Sequence, residues 1–360
     1  MGVSLKLANV WRIIREVDLE AIRQTANAPF ELWLIDDIAE TGHITDHRIG
    51  TDARELAPIG GDAVRLRAAL SADPRVPPPA LRVVPASGLG DHVLPAAAIV
   101  LAPEGLSPAI DVMLNRLRRG KVPTVIVVRG DAGRDDRIIS AVERHVYVPT
   151  IDATGIGLIG TALVAVVPAD LRLALARQLP PLRPAVFEQI IDETARANAS
   201  YSLTSGLAEV VPLLTIPLNL GDMVVLTKNQ LVMAYRLVLA GGRDGEPKAL
   251  LREILGVLGG GLIFRQLARQ LVGMIPVAGL VPKVAIAYGG TWAIGRAVVL
   301  WVTEGREVTS DLVRSLSTEG LQRGRTVATR LLDTAKIQTG RAGARWERLR
   351  DHLPLLRRRR

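Results

Sequence analysis

From Ser200 to Glu304 the chain is made largely of Leu, Ile, Val, Ala and Gly. Charges are few and widely spaced, and Pro212, Pro217 and Pro276 fall where one apolar run hands over to the next. A stretch that is apolar nearly all round buries itself by packing helix on helix. Within it, Val284 to Val302 carries a single charge, Arg296. Ala285, Gly289, Ala293 and Ala297 recur every four residues, so they line one side of a helix and let a neighbouring backbone come close. Gly289 and Gly290 each cost roughly 1 kcal/mol relative to alanine in a helix interior, and close packing is the expected compensation. The stretch holds no cluster of acids, histidines or nucleophiles, so it specifies an architecture rather than a chemistry.

Length and composition set the outer limits. Three hundred and sixty residues suffice for two domains with cores of their own. The absence of cysteine excludes disulfides, thiolate nucleophiles and Cys-ligated zinc. Aromatic residues make up only 3%, which disfavours nucleic-acid modules that stack bases on aromatic rings. The net charge of +9 is concentrated late in the chain, since Thr303 to Arg360 holds 14 Lys/Arg against 7 Asp/Glu. The opening MGVSLKLANVWRIIREVDLE lacks the apolar core of a secretion signal, so a location on the cytoplasmic side is expected.

Read in order, Leu5, Leu7, Val10, Trp11, Ile14 and Val17 fit an amphipathic helix, and Asp18 before LEAIRQ caps a second. The period then changes. Phe30–Ile35, Leu81–Val84, Ala97–Leu101, Thr124–Val128 and His145–Val148 are short apolar runs, with an amphipathic helix at Ser107–Arg118. Strands alternating with helices predict a parallel α/β layer. DATGIGLIGTALVAVV reads as a loop opening a buried helix, and Pro180, Pro181 and Pro184 as a linker. The expected division is a helix at 1–28, an α/β domain at 29–180, a helical bundle at 181–305 and a basic helical tail at 306–360. GGRDGEPK, from Gly241, is a turn between helices.

Several ordered blocks carry a family resemblance. Arg265-Gln-Leu-Ala-Arg269, Ile275-Pro276-Val-Ala-Gly279, Ala287-Tyr-Gly-Gly290-Thr291 and Ala293-Ile-Gly295-Arg296-Ala297, with Pro217, Asp222, Gln230 and Met233 upstream, resemble the helical domain of unknown function 697. The resemblance covers about 100 residues. It implies a small Ras-like GTPase domain ahead of the helices and, for some relatives, the inner membrane. It assigns no catalytic residue.

Each nucleotide station of such a domain can be tested. The first needs GxxxxGK followed by Ser or Thr, whose amides and lysine hold phosphate. Here DDIAETGHIT stands instead, with Asp36, Asp37 and Glu40 where a triphosphate would lie, and like charges repel. VVPASGL resembles VVDTPGL with Pro85 in the aspartate's place and Gly88 retained, so a Mg²⁺-linked carboxylate is lacking. At the NKxD station Val128-Arg129-Gly-Asp131 keeps only the aspartate, and Asp152-Ala153 resembles the last station with an acid for its serine. The expectation is a Ras-like, three-layer parallel-sheet domain that no longer binds nucleotide. An unrelated α/β domain is the alternative.

Other constellations have bland readings. His43 and His47 are spaced like ligands but sit in a loop-like segment without HExxH, so no metal is expected. No GxSxG motif supports a hydrolase triad. Asp222 with Arg265, Arg269 or Arg296 makes a plausible internal ion pair. Val284–Val302 reaches spanning length, and Arg357, Arg358, Arg359 and Arg360 could hold anionic headgroups at about 1 kcal/mol each. The reading is a non-catalytic, cofactor-free scaffold that uses a membrane surface or a partner helix at the cytoplasmic membrane. A divergent GTP-binding protein and a soluble bundle with a nucleic-acid-binding tail are the alternatives.

Overall fold

The computed structural model describes residues 17–36, 61–71, 79–86, 93–102, 106–130, 137–209, 218–257 and 280–352. Side chains at 137–138, 206–209, 218–223, 280 and 335–352 lie outside that description. The chain divides into two compact units. An α/β unit comprises Asp18–Ile190 with Arg236–Pro247, and a helical unit comprises Met1–Val17, Ile191–Tyr235 and Lys248–Arg360.

The α/β unit opens with α1 (Leu19–Ala26), where the Asp18 carboxylate accepts the Ala21 N–H at 2.9 Å as the expected cap. Then come β1 (Leu32–Asp36), α2 (Gly61–Leu70), β2 (Leu81–Pro85), β3 (Ala97–Leu101), α3 (Pro108–Arg119) and β4 (Thr124–Arg129). They are followed by β5 (Arg137–Ser140), β6 (Glu143–Val148), α4 (Ala153–Val166) and α5 (Arg172–Gln178). The sheet order is β2-β1-β3-β4-β6-β5, parallel except for the β5–β6 pairing.

Every residue of β1 and β3 is buried, as a parallel strand covered on both faces requires. Trp33, Ile35, Val84 and Val100 share one core with Ile110, Met113, Leu114 and Leu117 of α3. Alternation sends Leu32, Leu34 and Ile99 to the opposite face, and they too are fully buried. The chain goes from β1 to β2 on one side and from β3 to β4 on the other, so right-handed crossovers put α2 and α3 on opposite faces. At the amino edge Arg118, near the end of α3, grips the buried Glu143 of β6 with two hydrogen bonds of 2.8 Å. That guanidinium holds the Glu143 carboxyl below its ordinary value against the opposing effect of burial.

The prolines read as a linker do not form one. Pro180–Leu182 is a 3-10 turn that runs straight into α6 (Arg183–Glu209), with Leu182 buried. A proline in the first turn of a helix lacks only an N–H that had no partner there. After α6 come α7 (Leu218–Ala240), α8 (Pro247–Val257), α9 (Leu280–Glu304) and α10 (Ser310–His352). The expected turn at Gly241 lies between α7 and α8, and Gly242 (φ +93°) lies against the Arg183 guanidinium, which is 2.8 Å from where its Cβ would be.

The tail from Arg306 to Arg360 reads as a helix interrupted by Gly320, Gly324, Gly340 and Gly343, and from Ser310 to His352 it is one continuous helix. Gly320 and Gly324 are its contact with α9. They meet the backbones of Gly289 and Ala285, so two small-xxx-small rows close on each other with the helices antiparallel. The hairpin is made by Gly305 in the left-handed region (φ +64°), which stops α9 as a C-terminal glycine does. Val313, Leu316, Leu321 and Ala328 are buried, so this part of the basic segment belongs to a core.

Candidate functional site

All parallel strands end on one edge, and their order reverses between β1 and β3. Ligands of open α/β sheets bind outside the carboxyl ends at such a switch point. Asp36 is the last residue of β1 and pairs across the sheet with Pro85 on β2 and Leu101 on β3. Arg129 ends β4, and Asp152 with Ala153 follows β6. The sequence-derived positions Asp36, Pro85, Arg129, Asp152 and Ala153 therefore share this edge. Asp37, Glu40, Gly88 and Asp131 lie outside the described residues, as do His43 and His47.

Asp152 occupies the N-terminus of α4. Its Oδ1 accepts the Gly155 N–H at 2.9 Å and its Oδ2 accepts the Thr150 hydroxyl at 2.8 Å. The Gly155 amide first, then the Thr150 hydroxyl, holds this carboxyl below its ordinary value. The helix end that would attract a phosphate thus carries an anion of its own. Gly155 is needed because a Cβ there would strike the Thr150 carbonyl.

Asp62, which nothing in the sequence singled out, completes the edge from the first turn of α2. Its Oδ2 accepts from Arg129 Nη2 at 2.7 Å, and its Oδ1 lies 3.8 Å from Arg65 Nη1. Between Asp62, Arg129 and Thr150 lies a shallow depression floored by Leu101, Val127 and Val148. Its volume, open water included, is about 240 Å³, below the roughly 300 Å³ at which small-molecule pockets begin. Among the described residues no group of three acidic or histidine side chains could hold a metal ion.

A second polar constellation lies inside the helical unit. Asn198 and Thr291 are fully buried. The Thr291 hydroxyl accepts from Asn198 Nδ2 at 2.8 Å and Gln230 Nε2 at 3.1 Å, and donates to the Ala287 carbonyl at 2.8 Å. Asn229 Nδ2 donates to Asn198 Oδ1 at 2.7 Å. The structure thus joins the motif residues Gln230 and Thr291, and adds Asn198 and Asn229, which sequence reasoning missed. For Asn229 a polar residue in an otherwise apolar stretch was the available signal, whereas Asn198 precedes that stretch in the polar run DETARANAS. Gly290 is buried, and Gly295 makes room for Ile191, whose Cγ1 stands 2.6 Å from where its Cβ would be.

Nearby, Tyr288 donates to Asp192 at 2.8 Å, and Asp192 also accepts from Arg196 at 2.6 Å. Burial first, then the Asp192 hydrogen bond, pushes the Tyr288 phenol up to about 12. Arg323 stacks 4.7 Å from the Trp292 ring centre, with Arg296 at 5.9 Å. The motif positions Pro217, Arg265, Arg269, Pro276 and Gly279, the Asp222 side chain, and Arg357, Arg358, Arg359 and Arg360 lie outside the described residues. No protein-family model, no curated protein and no solved structure matches this chain.

Proposed function

We propose that the chain is a non-catalytic scaffold: a Ras-like α/β unit without nucleotide binding, joined to a helical unit related to domain of unknown function 697 and held at the cytoplasmic membrane surface. The observation that carries the reading is that two anion-attracting features of the carboxyl edge, among the described residues, already hold internal carboxylates. Asp152 sits on the α4 N-terminus and Asp62 on Arg129. A phosphate brought beside either carboxylate meets a charge of its own sign. The Ras-like part draws support from the common edge of Asp36, Pro85, Arg129 and Asp152, since four nucleotide stations must converge on one side of a sheet.

The attachment belongs to the basic C-terminal segment. Val281–Glu304 is long and apolar enough to cross a bilayer by length and composition, yet 83% of its apolar window is buried inside the protein, as in a core helix. The 14 Lys/Arg against 7 Asp/Glu after Val302 offer instead an electrostatic hold on anionic lipid. Titration of the whole protein with labelled GTP and Mg²⁺ tests the first half: saturable micromolar binding would overturn it. Flotation with phosphatidylserine vesicles tests the second. Binding lost on adding salt is expected, and recovery of all protein in the soluble fraction at low salt would refute it.

A further inference from the structure

We propose that Asp62 is the built-in occupant of an oxyanion site formed by Arg129 and Arg65, holding the place that a phosphate group would take. This rests on the reading of the carboxyl edge as a nucleotide site whose ligand has been replaced from within. The Asp62 carboxylate lies between two guanidiniums: Arg129 Nη2 donates to one oxygen at 2.7 Å, and the more exposed Arg65 Nη1 lies 3.8 Å from the other. Two guanidiniums around one anion leave a local excess of positive charge, and planar N–H forks suit tetrahedral oxyanions as well as carboxylates. The position is on the carboxyl edge of the parallel sheet, at the ends of β3, β4 and β6, the side on which open α/β sheets receive ligands.

Beside the pair, Leu101, Val127 and Val148 form an apolar floor, and the Thr150 hydroxyl on the rim donates to Asp152. Arg129 and Asp62 come from elements 67 residues apart, so their pairing is a tertiary contact and not a local helix pair. Asp62 contributes the opposing charge at the centre of the site. With it neutralised, Arg129 faces the depression without the carboxylate that pairs with it among the described residues.

Isothermal titration with inorganic pyrophosphate at low salt tests this on the full chain. Asp62→Asn and Asp62→Ser, both compatible with a helix start, should bind at least about tenfold more tightly than the unmodified protein, a gain of about 1.4 kcal/mol. Asp62→Asn combined with Arg129→Gln should lose that gain. No gain in either single variant overturns the proposal, and so does a gain that survives Arg129→Gln. Loss of cooperative melting in both single variants would make Asp62 a structural residue and overturn it as well. Nucleotide binding by the unmodified protein would refute the scaffold reading instead, so the two failures are separable.

Discussion

Gly289 of α9 and Gly320 of α10 touch backbone to backbone: a Cβ on Gly289 would lie 2.6 Å from both the carbonyl carbon and the oxygen of Gly320. One turn away Gly324 meets the Ala285 backbone in the same manner. Alanine at Gly289 or Gly320 gains about 1 kcal/mol in helix propensity but must force the helices apart, at a cost of about 1–3 kcal/mol or more. Net destabilisation is expected in urea unfolding. Gly157→Ala, with open space around its Cβ, should instead stabilise by about 0.4–1 kcal/mol. Equal stability of Gly320→Ala and the unmodified protein would contradict the close approach.

The Thr291 hydroxyl accepts from the buried Asn198 amide and the half-buried Gln230 amide at once. Thr291→Val keeps the shape and leaves the buried Asn198 donor without this acceptor, for a loss of about 1–3 kcal/mol. In a double-mutant cycle with Asn198→Ala the coupling should exceed about 0.5 kcal/mol. Additive effects would show that the two side chains do not share a network.

Glu143 supplies an acid limb to stability. Its carboxyl lies below the ordinary value of 4.5 in the folded protein. The contribution is therefore full above that value and is lost as pH falls through the folded pKa. Arg118 is 44% exposed, so solvent screens part of the pair. Glu143→Gln should cost about 1–2 kcal/mol at neutral pH and flatten the decline below pH 4.5. Parallel pH profiles for the two proteins would reject this assignment.

Tyr288 acts at the other extreme. Its phenol is raised to about 12, so its contribution is complete below the ordinary value of 10 and disappears as pH rises through about 12. Melting temperature measured across that interval should fall less steeply for Tyr288→Phe. An unchanged slope would mean that Tyr288 titrates alike in the folded and unfolded chains.

Much of the α/β unit could be read locally. Short apolar runs predict β1, β2, β3, β4 and the end of β6, and the 3.6-residue period at Ser107–Arg118 predicts α3. The strand β5 went unread because RIIS is short, and with Ile139 and Ser140 exposed it forms no buried apolar run. Of the edge residues, Asp36, Pro85, Arg129 and Asp152 were legible through the resemblance to Ras-like nucleotide stations, each of which follows a strand-like run. Asp62 was not, since an acid in a first helical turn is common and its partner lies 67 residues away.

By itself, the sequence determined most of the strands and the long helices, because apolar runs and helical periods are visible within a dozen residues, while β5, α2 and α5 went unread. It also determined that the helical stretch needs close packing, through its row of small residues. Only the tertiary structure decided what those residues pack against. Gly320 and Gly324, which read as breaks, are the surface that receives Ala285 and Gly289. Likewise Thr291 becomes an acceptor only when α6 brings Asn198, 93 residues earlier, into register with α9. Contact partners depend on helix crossing and register, and no local period encodes either.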